Sequence, residues 1–389
     1  MPEYDTSQYV ALKQKVQGSM PVRQEYTDED VEQTIYQVLA QEAHEDFTNV
    51  RDRVSIGRRI FHAMRRLDVL QPYLEDPEIT EIMVNGPEHI FIERDGRLYR
   101  TDTVFESETR LEDVIQQIVG TVNRTVNESN PIVDARLADG SRVNAVLPPV
   151  ALNGPILTIR KFREEPITME ELVAWGTITQ EAADFLKDCV RKRYNVFICG
   201  GTASGKTTFL NILSDCIPKD ERIITIEDAA ELRLSSLENL VTLETRKAGV
   251  EGKGEITIRD LIRTSLRMRP NRIIVGEIRG AEAIDMLQAM NTGHEGSLST
   301  GHANSCADMV SRIESMVLQG ASFPIEAIRA QIASAIDLMV YLTHRPDGRR
   351  QLTEIVQLKG MAEGQVVMEP IFIRKEDRLI RTDNAFIEK

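Results

Sequence analysis

The feature that most constrains this chain is a glycine-rich run between a predicted strand and a predicted helix. Residues 200–207 match the pattern G-x-x-x-x-G-K-[ST]. Residues 196–199, Val-Phe-Ile-Cys, have the composition of a short buried strand, and residues 208–213 continue as an amphipathic helix. In this order the glycines let backbone N–H groups turn inward, and the helix N-terminus adds partial positive charge. The run therefore predicts a phosphate-binding loop.

The lysine and threonine that end the loop predict ATP as the ligand and Mg²⁺ as its companion ion. Lys206 can reach the β- and γ-phosphates, and the Thr207 hydroxyl can ligate Mg²⁺. A tight strand–helix turn without a ligand is the alternative, but a lysine that faces a crowded loop is hard to justify without an anion. The predicted nucleotide-binding residues are Gly200, Gly201, Thr202, Ala203, Ser204, Gly205, Lys206, Thr207 and Thr208.

Short apolar runs after the loop predict an α/β fold for this part of the chain. Residues 223–226 and 273–275 resemble the strand before the loop, and each run ends at a polar turn. Such runs fit central strands that are covered by helices on both faces of a sheet. About the last 50 residues are more strand-like, with a hairpin turn at Pro346-Asp347-Gly348.

Four segments follow from these patterns. Residues 1–72 are a polar tail and a helical segment, and residues 73–162 predict a small α+β domain of short strands with one helix. Residues 163–168 predict a linker, and residues 169–389 form the domain of the phosphate loop.

The helical segment contains one predicted helix with a basic face. Over residues 55–70, apolar residues recur at helical spacing and the other face carries Arg58, Arg59, Arg65 and Arg66. That face predicts either a solvated surface or a contact with an acidic partner or lipid.

Acidic residues follow the two later strands of the α/β domain. Glu227 and Asp228 come at the end of the strand 223–226, where carboxylates face the nucleotide crevice of open α/β sheets. Glu227 is predicted to hold Mg²⁺ through water or to polarise the attacking water. Asp228 could instead cap a helix that begins at Ala229. Glu277 follows Gly276 and is predicted as the general base, with a surface salt bridge to Arg279 as the alternative.

Two histidines and two arginines complete the candidate site. His294 and His302 each follow a glycine and bracket one predicted strand, and together they are predicted to contact the γ-phosphate. Either histidine alone would more often be structural. Arg142 and Arg160 lie on predicted strands of the α+β domain, and on pattern alone they are surface cations.

Charge and cysteine spacing exclude other classes of protein. The chain has 47 basic and 61 acidic residues, a formal charge of −14, and so disfavours a dedicated nucleic-acid binder. None of the four cysteines forms a C-x-x-C pair that would suggest zinc. No apolar stretch approaches the roughly 20 residues that span a bilayer, and we expect a cytoplasmic protein.

The order of the motifs resembles the secretion ATPase superfamily, which powers type II secretion, type IV pili and type IV secretion. The phosphate loop is followed by Thr-Ile-Glu-Asp, Val-Gly-Glu-Ile-Arg-Gly and Thr-Gly-His-Glu-Gly-Ser, and the resemblance covers roughly residues 65–389. The chain is most similar to the CpaF type, the Tad (Flp) pilus assembly ATPases. The stretches that carry this similarity are 78–86, 243–246, 258–263 and 286–294.

The resemblance implies a RecA-like P-loop NTPase domain, preceded by a small α+β (PAS-like) domain and an N-terminal helical segment. It also implies a homohexamer in which ATP lies between the two domains. Arg142 and Arg160 become candidate γ-phosphate arginines, with Arg267 a further candidate, and Glu227 becomes the metal-side companion of Glu277. The motor would act on a polytopic inner-membrane platform protein and sit at the inner face of the membrane through that partner.

The resemblance implies assembly of a Tad pilus, possibly with retraction. A conjugation-type secretion ATPase for protein or DNA–protein export is the alternative, and the absence of a four-cysteine zinc module separates both from the type II branch. A nucleic-acid translocase conflicts with the negative charge. A nucleotide-binding scaffold without turnover conflicts with the intact Lys206, Thr207 and Glu277.

Overall fold

A computed structural model describes most of the chain and divides it into two compact units, Met1–Glu164 and Glu165–Lys389. The described residues are 6–20, 26–42, 50–94, 96–122, 124–162, 167–234, 236–246, 248, 254–345 and 347–388. Most of the linker predicted over 163–168, and Pro346 of the predicted hairpin turn, lie outside these ranges.

The first unit begins with helices. They are α1 (Thr6–Ser19), α2 (Asp28–Gln41), α3 (Val50–Arg65) and α4 (Gln71–Glu75), with a 3-10 turn at Asp68–Leu70 before α4. The start of α2 follows from its sequence, because Thr27 and Asp30 form a reciprocal capping box. Apolar residues of α1, α2 and α3 form one small core, which includes Tyr9, Ile35 and Ile60.

The arginines of α3 are engaged within this unit. Arg58 pairs with Glu75, and Arg65 and Arg66 both pair with Asp28 at 2.6–2.7 Å. Arg59 lies over the ring of Tyr9 at 4.1 Å. Intramolecular contacts therefore engage the charges of this face, although Arg58 stays 67% exposed, and both predictions for the face stay predictions.

The rest of the first unit is an α+β domain. Its strands form an antiparallel sheet in the order β3-β2-β1-β6-β5-β4. Helix α5 (Glu108–Thr121) is capped by Ser107 and supplies five residues to the core of this domain. The strands are β1 (Ile79–Asn85), β2 (Ile90–Arg94), β3 (Arg97–Arg100), β4 (Ile132–Arg136), β5 (Arg142–Val146) and β6 (Ile156–Arg160).

The second unit is an α/β domain around a nine-stranded sheet. Its strands are β7 (Val196–Gly200), β8 (Ile223–Glu227), β9 (Leu240–Glu244), β10 (Arg272–Val275), β11 (Leu298–His302), β12 (Leu338–His344), β13 (Arg350–Ala362), β14 (Gln365–Lys375) and β15 (Arg378–Arg381). Its helices are α6 (Met169–Ala174), α7 (Gln180–Arg191), α8 (Lys206–Ser214), α9 (Ile258–Ser265), α10 (Ala283–Asn291), α11 (Cys306–Gly320) and α12 (Ile325–Ala335).

The strand order of this sheet is β15-β14-β13-β12-β7-β11-β10-β8-β9. The run from β12 to β9 is parallel, and β13, β14 and β15 extend it as an antiparallel meander. Every residue of β7, β8 and β10 is buried, as expected for central strands with both faces covered. Separate apolar cores lie on the two faces of the sheet.

The predicted strands around the loop and the predicted C-terminal strands are therefore observed. Among the described residues, no helix has both the length and the apolar character needed to cross a bilayer.

Candidate active site

The glycine-rich loop connects β7 to α8 in a conformation that only glycine fits at its two ends. A side chain at Gly200 would collide with the carbonyl oxygen of Leu342 on β12. Gly205 has φ +91° and is the residue from which α8 begins. Because φ near +90° is strained for residues with a Cβ, glycine is required here. The loop therefore packs against β12, and its backbone N–H groups lie at the N-terminus of α8.

Lys206 is the first residue of α8, and its side chain folds back over the loop. Its ammonium Nζ donates to the carbonyl oxygen of Gly201 at 2.8 Å and lies 3.4 Å from Nδ1 of His302. Burial lowers the pKa of Lys206, while the nearby Glu277 carboxylate opposes that shift. The ammonium is therefore held at the loop by a backbone carbonyl.

Glu277 lies just after β10 and contacts two basic side chains. Its Oε1 is 2.9 Å from Nε2 of His302, and its Oε2 accepts a 2.6 Å bond from Arg279. No donor is aligned for a hydrogen bond with the buried Oε1. The predicted role as general base requires a water to reach this carboxylate, and that role stays a prediction. The alternative ion pair with Arg279 is also present, and the two contacts coexist because they use different oxygens.

His302 ends β11 directly beside the loop, in register with Gly200 on β7. Burial lowers the pKa of this imidazole, Glu277 raises it, and Lys206, Arg279 and Arg312 lower it further. The ring is therefore neutral at pH 7, with one nitrogen toward Lys206 and the other toward Glu277.

A polar cleft of about 390 Å³ opens beside these groups. Three of its lining residues lie outside the predicted site, namely Ile278, Arg279 and Arg312, and of these only Arg279 has a predicted contact, the salt bridge to Glu277. Arg312 lies on α11. No motif marks it, and only the packing of α11 next to β11 brings it here. The lining is Thr202, Glu277, Ile278, Arg279, His302 and Arg312.

A second cavity, of about 250 Å³, lies on the other side of the loop and is mainly apolar. Ser204, Gly205 and Thr208 form one wall, and the aromatic rings of Trp175 and Phe209 contribute to the lining. Sequence patterns predict the loop residues of this wall but none of the apolar lining residues, most of which come from distant segments. The remaining lining residues are Ile167, Leu172, Thr177, Leu342, Gly348, Arg349 and Arg350.

Glu227 is the last residue of β8, which lies next to β10 in the sheet. Its carboxylate binds backbone groups of the loop that follows β8. Oε1 accepts from the backbone N–H groups of Glu231 at 2.9 Å and Leu232 at 3.1 Å. A Cβ at Gly276 would lie 2.9 Å from Cγ of Glu227, so the glycine before Glu277 makes room for this side chain. The contacts favour a role in shaping the loop after β8, and the predicted metal-side role stays a prediction.

Asp228 does not cap a helix, because residues 229–234 form no helix and the next one, α9, begins at Ile258. Instead, Thr245 donates to the backbone carbonyl of Asp228 at 3.3 Å. The helix-cap alternative for Asp228 is therefore wrong.

The two predicted histidines lie at opposite ends of β11. The carbonyl of His294 accepts from Ser297, whose N–H binds Asn195 at the start of β7. Five strand residues at about 3.3 Å each put roughly 16 Å between this edge and the edge that carries His302. The expectation that both histidines face one phosphate is corrected accordingly, because β11 lies between them and only His302 contacts the loop lysine.

The predicted arginines lie in the first unit, on adjacent strands. Arg142 on β5 is in register with Arg160 on β6 and with Arg136 on β4. Arg160 is also 3.7 Å from Glu81. Three arginines thus lie side by side across β4, β5 and β6. Their assignment to the γ-phosphate stays a prediction, as does that of Arg267.

The donor set suits Mg²⁺ that is held mainly by a nucleotide. Thr207 is half-buried in the first turn of α8, next to Lys206. Within the described ranges, no group of three His, Cys, Asp or Glu side chains could hold a metal ion by itself. Mg²⁺ in phosphate sites is usually bound by one or two protein oxygens plus phosphate and water, which this arrangement matches.

Comparison with known proteins gives consistent relatives. The family model for type II/IV secretion system proteins matches residues 64–368. A putative conjugal transfer protein of Mycobacterium tuberculosis is 37% identical over 323 residues, covering 82% of this chain and 90% of the relative. The type IV secretion system protein VirB11 of Brucella suis is 34% identical over 306 residues, covering 71% and 84%.

A solved structure shows the same fold. The crystal structure of the pilus retraction motor PilT with bound ADP matches with a TM-score of 0.54 and 20% identity, covering 82% of this chain and 83% of that one. The predicted RecA-like fold with a preceding α+β domain is thereby confirmed. The family model and the relatives confirm the predicted superfamily. The chain belongs to the family of type II/IV secretion system proteins.

Proposed function

We propose that this protein is an ATP-hydrolysing motor of a type IV secretion machine of the conjugation type. The observation that carries the proposal is the continuous contact from the loop lysine through His302 to Glu277. It joins a phosphate-binding group to a candidate general base through one imidazole. A scaffold that only bound nucleotide would have no use for the carboxylate in this chain of contacts.

In the proposed reaction, the N–H groups of the loop and the Lys206 ammonium bind the β- and γ-phosphates. Thr207 would hold Mg²⁺, which would neutralise charge on the phosphates when bound. The Glu277 carboxylate accepts a proton from the attacking water. The neutral His302 keeps this carboxylate and the ammonium at a fixed separation.

The apolar cavity beside Thr208 supports a purine base as the other end of the ligand. Its volume and its mix of aromatic and aliphatic walls suit a planar ring, and ligand pockets of this kind combine an apolar lining with a few polar groups. Arg350 donates to the carbonyl of Ala203 at 3.0 Å and so links the loop to this cavity.

The roles of the two arginines, the assembly and the location in this proposal are inferred from the resemblance to the family. Arg142 and Arg160 would contact the γ-phosphate, the protein would work as a cytoplasmic homohexamer, and a polytopic membrane protein would anchor it at the inner face. The conjugation-type assignment is favoured over Tad pilus assembly because the relatives are named for conjugal transfer and type IV secretion.

Two measurements test the proposal. Purified protein should release phosphate from ATP in a Mg²⁺-dependent reaction, and Lys206→Ala should not. In the native host, loss of the gene should abolish conjugal or protein export and leave pili unchanged. Loss of pili with normal export would favour the Tad interpretation, and absence of any ATPase activity in the assembled protein would refute the motor.

A further inference from the structure

The cleft beside the loop carries more positive charge than the proposed general base requires. Glu277 is the one carboxylate among its lining residues, while Arg279 and Arg312 both line it and His302 is neutral. Lys206 adds a third cation at the edge, through its contact with His302. One arginine would be enough to balance one carboxylate.

The two arginines have different surroundings. Arg279 is already bound to Glu277 at 2.6 Å, although 64% of its side chain is exposed. Arg312 is exposed on α11 and lines the same cleft. Two arginines and a threonine that line one space of about 390 Å³ supply the donors that a compact oxyanion needs.

We propose that Arg312, together with Arg279 and Thr202, binds a tetrahedral phosphate oxyanion next to Glu277. This inference rests on the proposed function and extends it, because it assigns a binding site to the phosphoryl group that leaves the loop after hydrolysis. The oxyanion has two possible sources, which are the γ-phosphoryl group of a bound nucleotide and free inorganic phosphate.

The carboxylate in the cleft does not prevent this binding. Glu277 would repel a phosphate dianion if it were unpaired, but Arg279 binds its Oε2, and Arg312 and Lys206 add two further cations beside the cleft. An incoming anion competes with Glu277 for Arg279. Phosphate that binds in the cleft therefore weakens the bond between Arg279 and the Glu277 carboxylate. The environment of the proposed base then depends on whether phosphate is bound.

The test compares Arg312→Ala with Arg378→Ala in the full-length protein. Arg378 is an exposed arginine on β15 and is not a lining residue of the cleft, so its removal makes the same change in net charge. Three quantities are measured for each variant: the Kd for ADP, the Kd for a non-hydrolysable ATP analogue, and the Kd for inorganic phosphate by calorimetry with ADP present.

We expect Arg312→Ala to leave the Kd for ADP within about twofold and to weaken an oxyanion contact by about 10–100-fold, the usual size for a charged hydrogen bond. Loss of affinity for the ATP analogue identifies the γ-phosphoryl group. Loss of affinity for inorganic phosphate alone identifies the free product. Arg312→Lys keeps the charge without the bidentate geometry. We expect its affinity for the oxyanion to lie between those of the wild type and Arg312→Ala.

Unchanged affinities for both ligands in Arg312→Ala would overturn the proposal, as would equal losses in Arg378→Ala. The result is independent of turnover. If the wild-type protein binds phosphate through Arg312 but does not hydrolyse ATP, the motor proposal fails and the oxyanion site stands. A circular dichroism spectrum and melting curve like those of the wild type show that each variant is folded.

Discussion

The imidazole of His302 bridges Lys206 and Glu277, with Nε2 2.9 Å from the carboxylate and Nδ1 3.4 Å from the ammonium. The three residues come from the loop after β7, the turn after β10 and the end of β11. Because these strands are parallel neighbours or lie one strand apart, their carboxyl ends meet at one edge of the sheet. In the proposed function, this bridge links the phosphate-binding lysine to the carboxylate that activates water.

Glu277→Gln should separate binding from turnover. The amide keeps the size of the side chain but cannot accept a proton, so we expect nucleotide affinity within a few-fold of wild type and a turnover rate lower by about 10²–10⁴. Steady-state phosphate release and equilibrium nucleotide binding measure the two effects. Glu295→Gln, an exposed glutamate outside the cleft, is the control. Wild-type rates in Glu277→Gln would remove the base assignment.

Lys206→Ala should weaken nucleotide binding by about 10–100-fold without unfolding the domain. Its side chain contacts only a loop carbonyl and His302 among the described hydrogen bonds, whereas a charged contact to phosphate contributes about 10–100-fold in affinity. A fluorescent nucleotide titration measures the loss. Lys192→Ala removes an exposed lysine of the same unit and should bind normally. Equal affinity in both variants would show that the loop does not hold the phosphates.

Arg142→Ala should slow turnover far more than it weakens binding. An arginine that contacts the γ-phosphate in the transition state is typically responsible for about 10³–10⁵ in rate. Arg100→Ala, on the exposed edge strand of the same sheet, is the matched control. Single-turnover hydrolysis and nucleotide affinity should both be measured, since a loss of affinity alone would indicate that Arg142 binds the ground state only.

His302 should make folding stability depend on pH below neutrality. Burial first, and then Lys206, Arg279 and Arg312, lower its pKa in the folded state, while Glu277 opposes them. The unfolded chain therefore binds this proton more readily, and the free energy of unfolding falls as the pH drops below about 6.5. Urea unfolding at pH 7.5 and 5.5 measures the difference. His302→Gln should lose less stability over this range than the wild type, and an equal loss would refute the assignment.

Arg272→Met should strongly destabilise the second unit. The guanidinium is fully buried and makes two 2.8 Å bonds to Glu221. Removal of one partner of a buried pair leaves a charge without compensation and typically costs about 3–5 kcal/mol. Chemical unfolding measures the change. The double variant with Glu221→Gln removes the stranded charge and should recover part of the loss, whereas an unchanged double variant would indicate that packing dominates.

Much of the α/β domain could be predicted because its signals are local. Gly205 and Lys206 belong to a short motif whose backbone conformation depends on its own residues. Strands β7, β8 and β10 are continuous apolar runs because they are buried on both faces. Strands β3, β4 and β9 were not predicted. They are short, and most of their residues are partly or fully exposed, so their sequences lack that apolar pattern.

The sequence by itself determined the phosphate loop, the carboxylate after β10 and the central strands, since each depends on neighbours a few residues away. Only the tertiary structure decided which distant side chains share the site. It placed His302 beside the loop and His294 at the far edge, turned Glu227 toward its own loop, and brought Arg279 and Arg312 into one cleft. The physical reason is that strand direction and register are set by packing across the whole sheet, and no local pattern contains that information.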